Sequence, residues 1–467
     1  MSVKGDTNNS NKILTTLRRE LGEEAIIAGT DLSDKYAVDI SGENPRRPIA
    51  VILPKSTGDV STILRLCSEA GQRIVVQGGL TGLSGGATPQ AGELALSIEK
   101  LTGIDSLDLP SSTLTVQAGT TLQAIQKAAG EAGLLFPLDL GARGSCQIGG
   151  LIATNAGGNQ VLRFGMARNL VLGLEVVLPD GTVVSSMNRM LKNNAGYDLK
   201  QLFIGTEGTL GVVTRAVLRL YPQMPSTCTA LCAVRSFPDI ISLLRQTQIE
   251  VGSSLSAYEV MWASYFDYVT DYIEKLQSPF AHSYPLYALI ETEGTNAATD
   301  MERFERALGA ALESGVIEDA VVAKSEKEAQ TFWSIRDGIA EITTALTPYA
   351  GVDVSLSISD MPAFLEQVNQ QLKLRFNEVV NLVFGHVGDC NLHLFITTGK
   401  EEDVDHILAL VYKITGEYEG SISAEHGIGT LKREYLHYSR NDAEVALMRN
   451  LKQTLDPKGI LNNHRVI

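Results

Sequence analysis

Cysteine, positive charge and long apolar runs are all scarce in this sequence of 467 residues. The five cysteines are scattered and odd in number, and only Cys228 and Cys232 lie close together, so we expect reduced thiols and a cytoplasmic location. The formal net charge of -15 disfavours nucleic-acid binding, which requires a basic surface. No apolar run approaches the roughly 18 residues of a membrane helix, and the N-terminus lacks the apolar core of a signal peptide. We therefore expect a globular protein with no transmembrane span and no nucleic-acid partner.

Histidine is missing from residues 1 to 281, whereas glycine, with 43 copies, is abundant and clustered. Three segments are rich in glycine: QGGLTGLSGGATP (77–89), GARGSCQIGGLIATNAGGN (141–159) and IGTEGTLGVVT (204–214). Such segments cost about 0.5–1 kcal/mol of backbone entropy per glycine relative to alanine, and they typically turn N–H groups toward an anion. One alone is also typical of a flexible surface loop. Three together favour a single long, flat ligand such as FAD.

The segments QGGLTGLSGG, GGLIATNAGG, LPDG and KNNAGYDLKQLFIGTEGTLGVVT resemble the FAD-binding domain of flavoproteins of the vanillyl-alcohol-oxidase type. The C-terminal motifs narrow this resemblance to the branch of D-lactate, glycolate and D-2-hydroxyglutarate dehydrogenases. It covers about residues 45–467 and implies an α+β fold with three parts. These are a two-lobed FAD-binding domain with an N-terminal helix (1–223), an α+β substrate or cap domain (224–414), and a helical C-terminal segment (415–467) that packs back onto the FAD domain.

The resemblance implies that the first segment holds the pyrophosphate, the second backs the isoalloxazine, and the third reaches the adenine end and the ring. The implied FAD contacts are Gly78, Gly79, Leu80, Thr81, Gly82, Leu83, Gly85, Gly86, Pro137, Ser145, Ile148, Gly149, Gly150, Ile152, Asn155, Gly157, Glu207, Gly208, Gly211, Val212 and Asn462. Some relatives attach the flavin to a histidine of the first segment. Because residues 1–281 contain no histidine, that bond is excluded and we expect noncovalent FAD.

Two short motifs, GHVGDCNLH (385–393) and SAEHGIG (423–429), contain three of the seven histidines. A hairpin at the Gly388–Asp389 turn can bring His386 and His393 together, and Glu425 would complete a His2Glu metal site with open positions. Satisfied core histidines are the alternative, and the ligand set alone suits zinc, manganese, iron or cobalt. The resemblance implies zinc or a similar divalent ion here. His426, next to Glu425, is the candidate base.

The expected reaction is the oxidation of a D-2-hydroxy acid to the 2-oxo acid. Chelation of the substrate by the metal lowers the pKa of its hydroxyl, His426 takes the proton, and the α-hydrogen leaves as hydride to flavin N5. Arg336, in FWSIRDGI, matches an arginine that binds the substrate carboxylate in relatives, although a surface salt bridge would also explain it. Lys192, Asn194 and Tyr197, in KNNAGYD, are further predicted substrate contacts.

Three departures from the relatives that take D-2-hydroxyglutarate bear on the substrate. Ala340 stands in place of a threonine, Gly351 in place of a lysine and Phe395 in place of an asparagine. By strand alternation Phe395 faces the same side as His393, and a second carboxylate buried there without a partner would be unfavourable. We therefore expect an apolar monocarboxylate such as D-lactate, a longer aliphatic homologue or D-mandelate, with D-2-hydroxyglutarate as the alternative.

Two other functions are compatible with these motifs. A metal-free flavin oxidase acting on alcohols or phenols would have the same fold. A non-catalytic flavin subunit of a larger redox complex would not require His426 beside an open metal site, which favours an enzyme. The sequence leaves the electron acceptor unidentified, and a homodimer is the expected oligomeric state.

Overall fold

The computed structural model describes residues 3–467, with side chains from residue 11 onward. The chain divides into two compact units. Unit 1 contains Met1–Gly158, Gly165–Pro222 and Glu425–Ile467, and unit 2 contains Asn159–Phe164 and Gln223–Ala424. Residues 1 and 2, with which the predicted first domain begins, lie outside the described residues.

The division differs from the predicted domains at three places, one of them a single residue, because Gln223 belongs to unit 2 and not to the first domain. The predicted boundary after residue 414 falls inside the helix Glu401–Glu417, where Ile414 and Thr415 are buried, so unit 2 continues to Ala424. The short segment Asn159–Phe164 belongs to unit 2, although it lies within the predicted first domain. These differences have the same cause, because a change of composition along the chain does not report which side chains pack together.

Unit 1 contains a four-stranded sheet with the strand order β1-β2-β4-β3. Its strands are β1 (Ile26–Ala28), β2 (Ala50–Ile52), β3 (Ile74–Gln77) and β4 (Leu94–Ser97). The strands β2, β4 and β3 pair in parallel, and β1 pairs with β2 in the antiparallel direction. The parallel strands are short and almost wholly buried, as is usual for strands covered on both faces. The first glycine-rich segment follows β3 directly.

A second sheet of unit 1 has five antiparallel strands in the order β5-β6-β10-β8-β9. Its strands are β5 (Ile104–Asp108), β6 (Thr113–Gln117), β8 (Val171–Val177), β9 (Val183–Ser186) and β10 (Val212–Arg219), while β7 (Leu134–Leu135) pairs separately with β11 (Tyr221–Pro222). The third glycine-rich segment leads directly into β10. Strand ends therefore fix the positions of the first and third segments.

Helix α2 of unit 1 is capped at both ends. In α2, the Ser56 hydroxyl accepts a hydrogen bond from Asp59 N at the start, and Gly71, with φ 66°, ends the helix. The helices of this unit are α1 (Val3–Leu21), α2 (Thr57–Ala70), α3 (Leu122–Glu131), α4 (Ile148–Ala153), α6 (Ala167–Leu170) and α14 (Asp442–Leu455). Between α4 and α6 lies α5 (Val161–Phe164), which belongs to unit 2.

The C-terminal tail packs against β3 of unit 1. Ile74 N donates to Ile460 O at 2.7 Å, and Asn462 N donates to Ile74 O at 2.9 Å. The buried guanidinium of Arg465 pairs with the buried carboxylate of Glu93 at 2.9 Å. The predicted helical C-terminal segment is therefore only partly helical, because after α14 the backbone hydrogen bonds go to a strand instead of a helical turn.

Unit 2 contains a seven-stranded antiparallel sheet with the order β15-β12-β14-β13-β17-β18-β16. Its strands are β12 (Ser226–Val234), β13 (Leu255–Trp262), β14 (Leu286–Gly294), β15 (Asp319–Val322), β16 (Ala350–Ser355), β17 (Val380–Gly385) and β18 (Asn391–Thr397). Its other helices are α7 (Phe237–Val251), α8 (Ala263–Tyr272), α9 (Ala297–Glu313), α10 (Glu326–Arg336), α11 (Ile339–Leu346), α12 (Met361–Arg375) and α13 (Glu401–Glu417). Within residues 3–467, no helix is both long and apolar enough to cross a membrane.

Candidate functional site

A cavity of about 340 Å³ lies in unit 1, beside the glycine-rich segments. Most residues predicted to contact FAD line it: Gly78, Gly79, Leu80, Thr81, Gly82, Leu83, Gly86, Gly149, Gly150, Gly157, Glu207, Gly208, Gly211, Val212 and Asn462. All three segments and the C-terminal tail therefore contribute to one cavity. This arrangement is what a single elongated ligand requires.

Six predicted FAD contacts do not line this cavity among the residues that the structure describes: Gly85, Pro137, Ser145, Ile148, Ile152 and Asn155. Ile148 and Ile152 are buried in α4, whereas the two glycines between them reach the cavity wall. The Asn155 side chain accepts a hydrogen bond from Arg168 N at 3.0 Å. The segments named by the resemblance line one cavity, and their contacts with FAD stay predictions. The direction of each side chain depends on helix and turn geometry that the motif does not specify.

The first two glycine-rich segments touch at Gly79. A Cβ atom at this position would overlap the carbonyl oxygen of Ser145 in the second segment. The clashing atom belongs to the backbone, so no side-chain rotation could relieve the contact. Gly79 is therefore required by the close approach of the two segments that form the cavity.

Two buried oxygen atoms on the cavity wall have no hydrogen-bond partner among the described residues, namely Gln147 Oε1 and Asp39 Oδ2. Unpaired buried acceptors are rare in folded proteins. FAD carries hydroxyl and N–H donors that would satisfy such atoms, so the cavity fits the predicted cofactor. Gln147 lies inside a glycine-rich segment and could have been found there, whereas Asp39 belongs to no motif.

Glu207 holds the loop that carries Glu425 and His426. Its two carboxylate oxygens accept hydrogen bonds from Ile428 N at 2.7 Å and Gly429 N at 2.8 Å. Burial raises the pKa of Glu207, and these two amides offset part of the rise. Glu425 and His426 line the same cavity as Glu207. The predicted FAD contact thus has a structural role as well, since it fixes the predicted base at the cavity wall.

The predicted histidine hairpin is present in unit 2. His386 directly follows β17, a tight turn covers Val387–Asp389, and His393 lies in β18, where it pairs with Phe384 of β17. The two imidazole rings are buried, with centroids 5.4 Å apart and nearly perpendicular planes. Glu425, the third predicted ligand, belongs to unit 1. The two histidines therefore come together as predicted, and the three-ligand metal site stays a prediction.

Arg336, at the end of α10, is buried, and besides an ion pair with the exposed Asp337 it has partners inside unit 2. Its Nε donates to Glu259 Oε2 at 2.9 Å, and its Nη2 lies 2.8 Å from His386 Nε2. His386 Nδ1 lies 2.6 Å from Glu259 Oε1. Tyr265 donates its hydroxyl to the Arg336 carbonyl at 2.6 Å. These contacts join the predicted arginine and one predicted metal ligand through a carboxylate that the motifs did not reveal.

Electrostatics explain how Glu259 can remain charged inside unit 2. Burial raises the pKa of Glu259, but the neighbouring His386 and Arg336 outweigh burial and lower the pKa to about 2. A second acidic residue, Asp353 of β16, lies opposite His393 in register, with 3.8 Å between Asp353 Oδ1 and His393 Nδ1. Both carboxylates lie in apolar strands, and a lone acidic residue in such a strand was the only signal in the sequence.

An apolar wall adjoins this buried cluster in unit 2. The Phe395 ring packs against Tyr349 and Phe384, with centroids 5.3 and 6.0 Å apart, and Phe384 lies 5.0 Å from the His393 ring. Phe395 therefore does lie on the side of His393. Gly351 pairs with Phe395 in register, whereas Ala340 is exposed on α11 and is not part of this wall.

The predicted substrate contacts Lys192, Asn194 and Tyr197 lie on an exposed loop between β9 and β10. The Tyr197 side chain is 94% exposed. Within unit 1, none of the three lines the cavity formed by the described residues. The loop has hydrogen bonds of its own, such as Ala195 N to Asn193 Oδ1, and the three substrate contacts stay predictions.

Comparison with known proteins identifies the family. Residues 48–186 match the model of the FAD binding domain, and residues 223–466 match that of the C-terminal domain of FAD linked oxidases. The chain belongs to this family of FAD-linked oxidases. Among solved structures, p-cresol methylhydroxylase has a TM-score of 0.77 at 14% identity, with 98% of this chain and 97% of that chain covered. Alkyldihydroxyacetonephosphate synthase has a TM-score of 0.74 at 18% identity, covering 97% and 84%. The predicted α+β fold of the vanillyl-alcohol-oxidase type is confirmed.

The sequence relatives define the branch. The D-2-hydroxyglutarate dehydrogenase of Danio rerio is 40% identical, with 89% of this chain and 78% of the relative covered. That of Xanthomonas citri pv. viticola is 39% identical, covering 92% and 91%. A putative mitochondrial D-lactate dehydrogenase of Schizosaccharomyces pombe is 36% identical, covering 94% and 86%. The chain is accordingly an FAD-dependent D-2-hydroxy acid dehydrogenase of the D-2-hydroxyglutarate and D-lactate branch, which confirms the predicted class of enzyme and its FAD.

Proposed function

We propose that D-2-hydroxyglutarate is the preferred substrate of this dehydrogenase. The supporting observation is the set of relatives with that name, which are 36–40% identical over 89% or more of the chain. The comparisons support D-2-hydroxyglutarate better than the apolar monocarboxylate predicted from the sequence. Lys192 is then the candidate for the distal carboxylate, because the three positions compared earlier offer no cation.

A monocarboxylate such as D-lactate or D-mandelate is the second candidate, and the packing of unit 2 favours it. Phe395, Tyr349 and Phe384 pack together next to His393, and the aromatic surface comes from the partly buried Phe395 and Tyr349, since Phe384 is 2% exposed. A carboxylate placed against that surface would lose its hydration without gaining a partner. A relative with a D-lactate dehydrogenase name also exists in this branch.

Arg336 is proposed to bind the carboxylate next to the reacting carbon. Its guanidinium is buried, its Nε is held by Glu259, and a planar guanidinium suits a carboxylate with two parallel hydrogen bonds. His426 is proposed as the base that takes the hydroxyl proton. It lines the cavity that the glycine-rich segments form, and Ser84 donates its hydroxyl to the His426 carbonyl at 3.1 Å.

His386, His393 and Glu425 are proposed to hold a divalent metal, with zinc as the expected ion. The donor set fits: two neighbouring imidazoles, one of them backed by a carboxylate, are the usual surroundings of a catalytic metal. Ala424, which precedes Glu425, donates its N–H to Asp353 O, and Asp353 pairs with His393. When bound, such an ion would lower the pKa of the substrate hydroxyl, and FAD would accept the α-hydrogen as hydride.

A substrate comparison tests the proposal. The enzyme is mixed anaerobically with D-2-hydroxyglutarate, D-lactate or D-mandelate. Bleaching of the flavin absorbance then gives the rate at which each acid reduces the flavin. D-2-hydroxyglutarate should have the largest kcat/KM. Lys192→Ala should lower kcat/KM for this acid and leave it unchanged for D-lactate and D-mandelate. If D-lactate or D-mandelate is oxidised faster, the aromatic wall defines the substrate. In that case Ala340→Thr, Gly351→Lys and Phe395→Asn together should move the preference toward the dicarboxylate.

The electron acceptor, the homodimer and the cytoplasmic location stay predictions. The plant, fish and mammalian relatives carry the word mitochondrial in their names, and the Xanthomonas relative does not. Size-exclusion chromatography with light scattering would test the dimer directly.

A further inference from the structure

Glu259 lies in the central strand of the seven-stranded sheet of unit 2, with 1% of its surface exposed. No sequence motif indicated this residue. It lies in β13, which pairs with β17 beside the strand end that carries His386. Each of its two oxygen atoms has a different partner. Oε2 accepts from Arg336 Nε at 2.9 Å, and Oε1 lies 2.6 Å from His386 Nδ1.

These contacts determine which nitrogen of His386 carries the proton. A carboxylate can only accept, so Nδ1 must be the protonated nitrogen that donates to Glu259. Arg336 Nη2 can only donate, and it lies 2.8 Å from Nε2, so Nε2 keeps its lone pair. Nε2 is therefore the nitrogen of His386 that can bind a metal ion, in competition with the Arg336 Nη2 donor.

We propose that Glu259 is the positioning residue of this enzyme, which sets the tautomer of the metal ligand His386 and at the same time orients Arg336 for the substrate carboxylate. The proposal rests on the metal and arginine roles given above. Carboxylate backing of a ligating imidazole typically changes metal affinity or activity by about 10- to 100-fold. Sharing one carboxylate couples the two binding groups.

The decisive variant is Glu259→Gln. An amide has one acceptor oxygen and one NH2 donor, so it cannot accept from both Arg336 Nε and His386 Nδ1. Either the tautomer of His386 or the orientation of Arg336 is lost. Glu259→Asp keeps both acceptors but is shorter by one methylene group. Glu291→Gln is the matched control, because Glu291 lies on the adjacent strand β14 and accepts from Trp333 Nε1 at 2.8 Å.

The experiment uses FAD-loaded protein stripped with a chelator and titrated with Zn²⁺ against a chromophoric competitor. Glu259→Gln should weaken Zn²⁺ binding about 10- to 100-fold if the tautomer of His386 is lost, or raise KM for the hydroxy acid if the orientation of Arg336 is lost. Glu291→Gln should keep the wild-type Kd and KM. Glu259→Asp should lie between wild type and Glu259→Gln. If Glu259→Gln yields no folded holoenzyme, Glu259→Asp decides: a several-fold weaker Kd supports the role of Glu259, and a wild-type Kd overturns it.

The controls distinguish failure of the metal site from failure of the role of Glu259. A wild-type protein that binds no Zn²⁺, or a His386→Ala variant that binds it as well as wild type, would overturn the metal site and the role of Glu259 with it. Wild type and His386→Ala behaving as expected, with Glu259→Gln retaining full Zn²⁺ affinity and an unchanged KM, would overturn the role of Glu259 alone.

Discussion

The cavity of unit 1 and the buried cluster of unit 2 are built from different materials. The cavity wall is largely backbone, with glycines where segments approach each other, as at Gly79. The cluster consists of side chains that carry charge in a buried setting, where Glu259 contacts both Arg336 and His386, and Arg336 also pairs with Asp337. A wall of backbone is damaged by added atoms. A buried charge cluster is damaged by removing any one member, because the others then lose their partner.

The largest expected effect is the loss of the proposed metal ligands. His386→Ala, His393→Ala and Glu425→Ala should each abolish turnover, while the flavin spectrum stays largely intact because the flavin contacts come from the glycine-rich segments. Turnover, the visible spectrum and metal content would be measured for each variant. His282→Ala, an exposed histidine of unit 2, is the control. Full metal content in all three variants would rule out the assignment.

The proposed base should give the next largest effect and tests whether the cavity of unit 1 contributes chemistry as well as binding. His426→Ala should retain FAD and metal but slow anaerobic flavin reduction about 10²-fold or more, as expected for removal of a general base. His437 is an exposed histidine of unit 1, and the control variant His437→Ala should show flavin reduction at the wild-type rate. A decrease of only a few-fold in His426→Ala would mean that another group takes the proton.

Adding a single methyl group to the cavity wall tests the backbone side of the comparison. Gly79→Ala places a Cβ atom on the Ser145 carbonyl, so FAD affinity should fall by about 1–3 kcal/mol, or roughly 5- to 150-fold. Titration of the apoprotein with FAD, followed by quenching of flavin fluorescence, gives the affinity. Gly58→Ala in α2, where the nearest atom is 3.6 Å away, is the control and should bind FAD normally. Equal affinities would show that the two segments can separate at no cost.

The smallest effect concerns how the protein holds FAD, which we expect to be bound without a covalent link. Acid precipitation should release the yellow colour into the supernatant. Cys146 is the cysteine that lines the cavity among the described residues, and burial raises the pKa of its thiol, which disfavours attack on the flavin. Colour retained in the pellet would contradict noncovalent binding, and Cys146→Ser would then show whether this thiol forms the bond.

The sequence by itself predicted more of unit 1 than of unit 2. Glycine clusters are local, and their backbone requirement can be recognised without knowing the fold, and most of the residues predicted to contact FAD line the cavity. Ile148 and Asn155 do not line the cavity and Tyr197 lies on an exposed loop, so their contacts stay predictions. A motif specifies backbone shape and not the face on which each side chain lies.

In unit 2 the sequence determined that two histidines would meet, because a short hairpin fixes the register between β17 and β18. Only the tertiary structure decided which charged groups surround them. Glu259 lies 127 positions from His386 along the chain and Arg336 lies 50 positions from it, and each reaches the cluster through a different element. Local patterns specify turns, glycines and hairpins. The partner of a buried charge is chosen by strand order across a seven-stranded sheet, since burial is tolerated only where the fold brings an opposite charge within hydrogen-bonding distance.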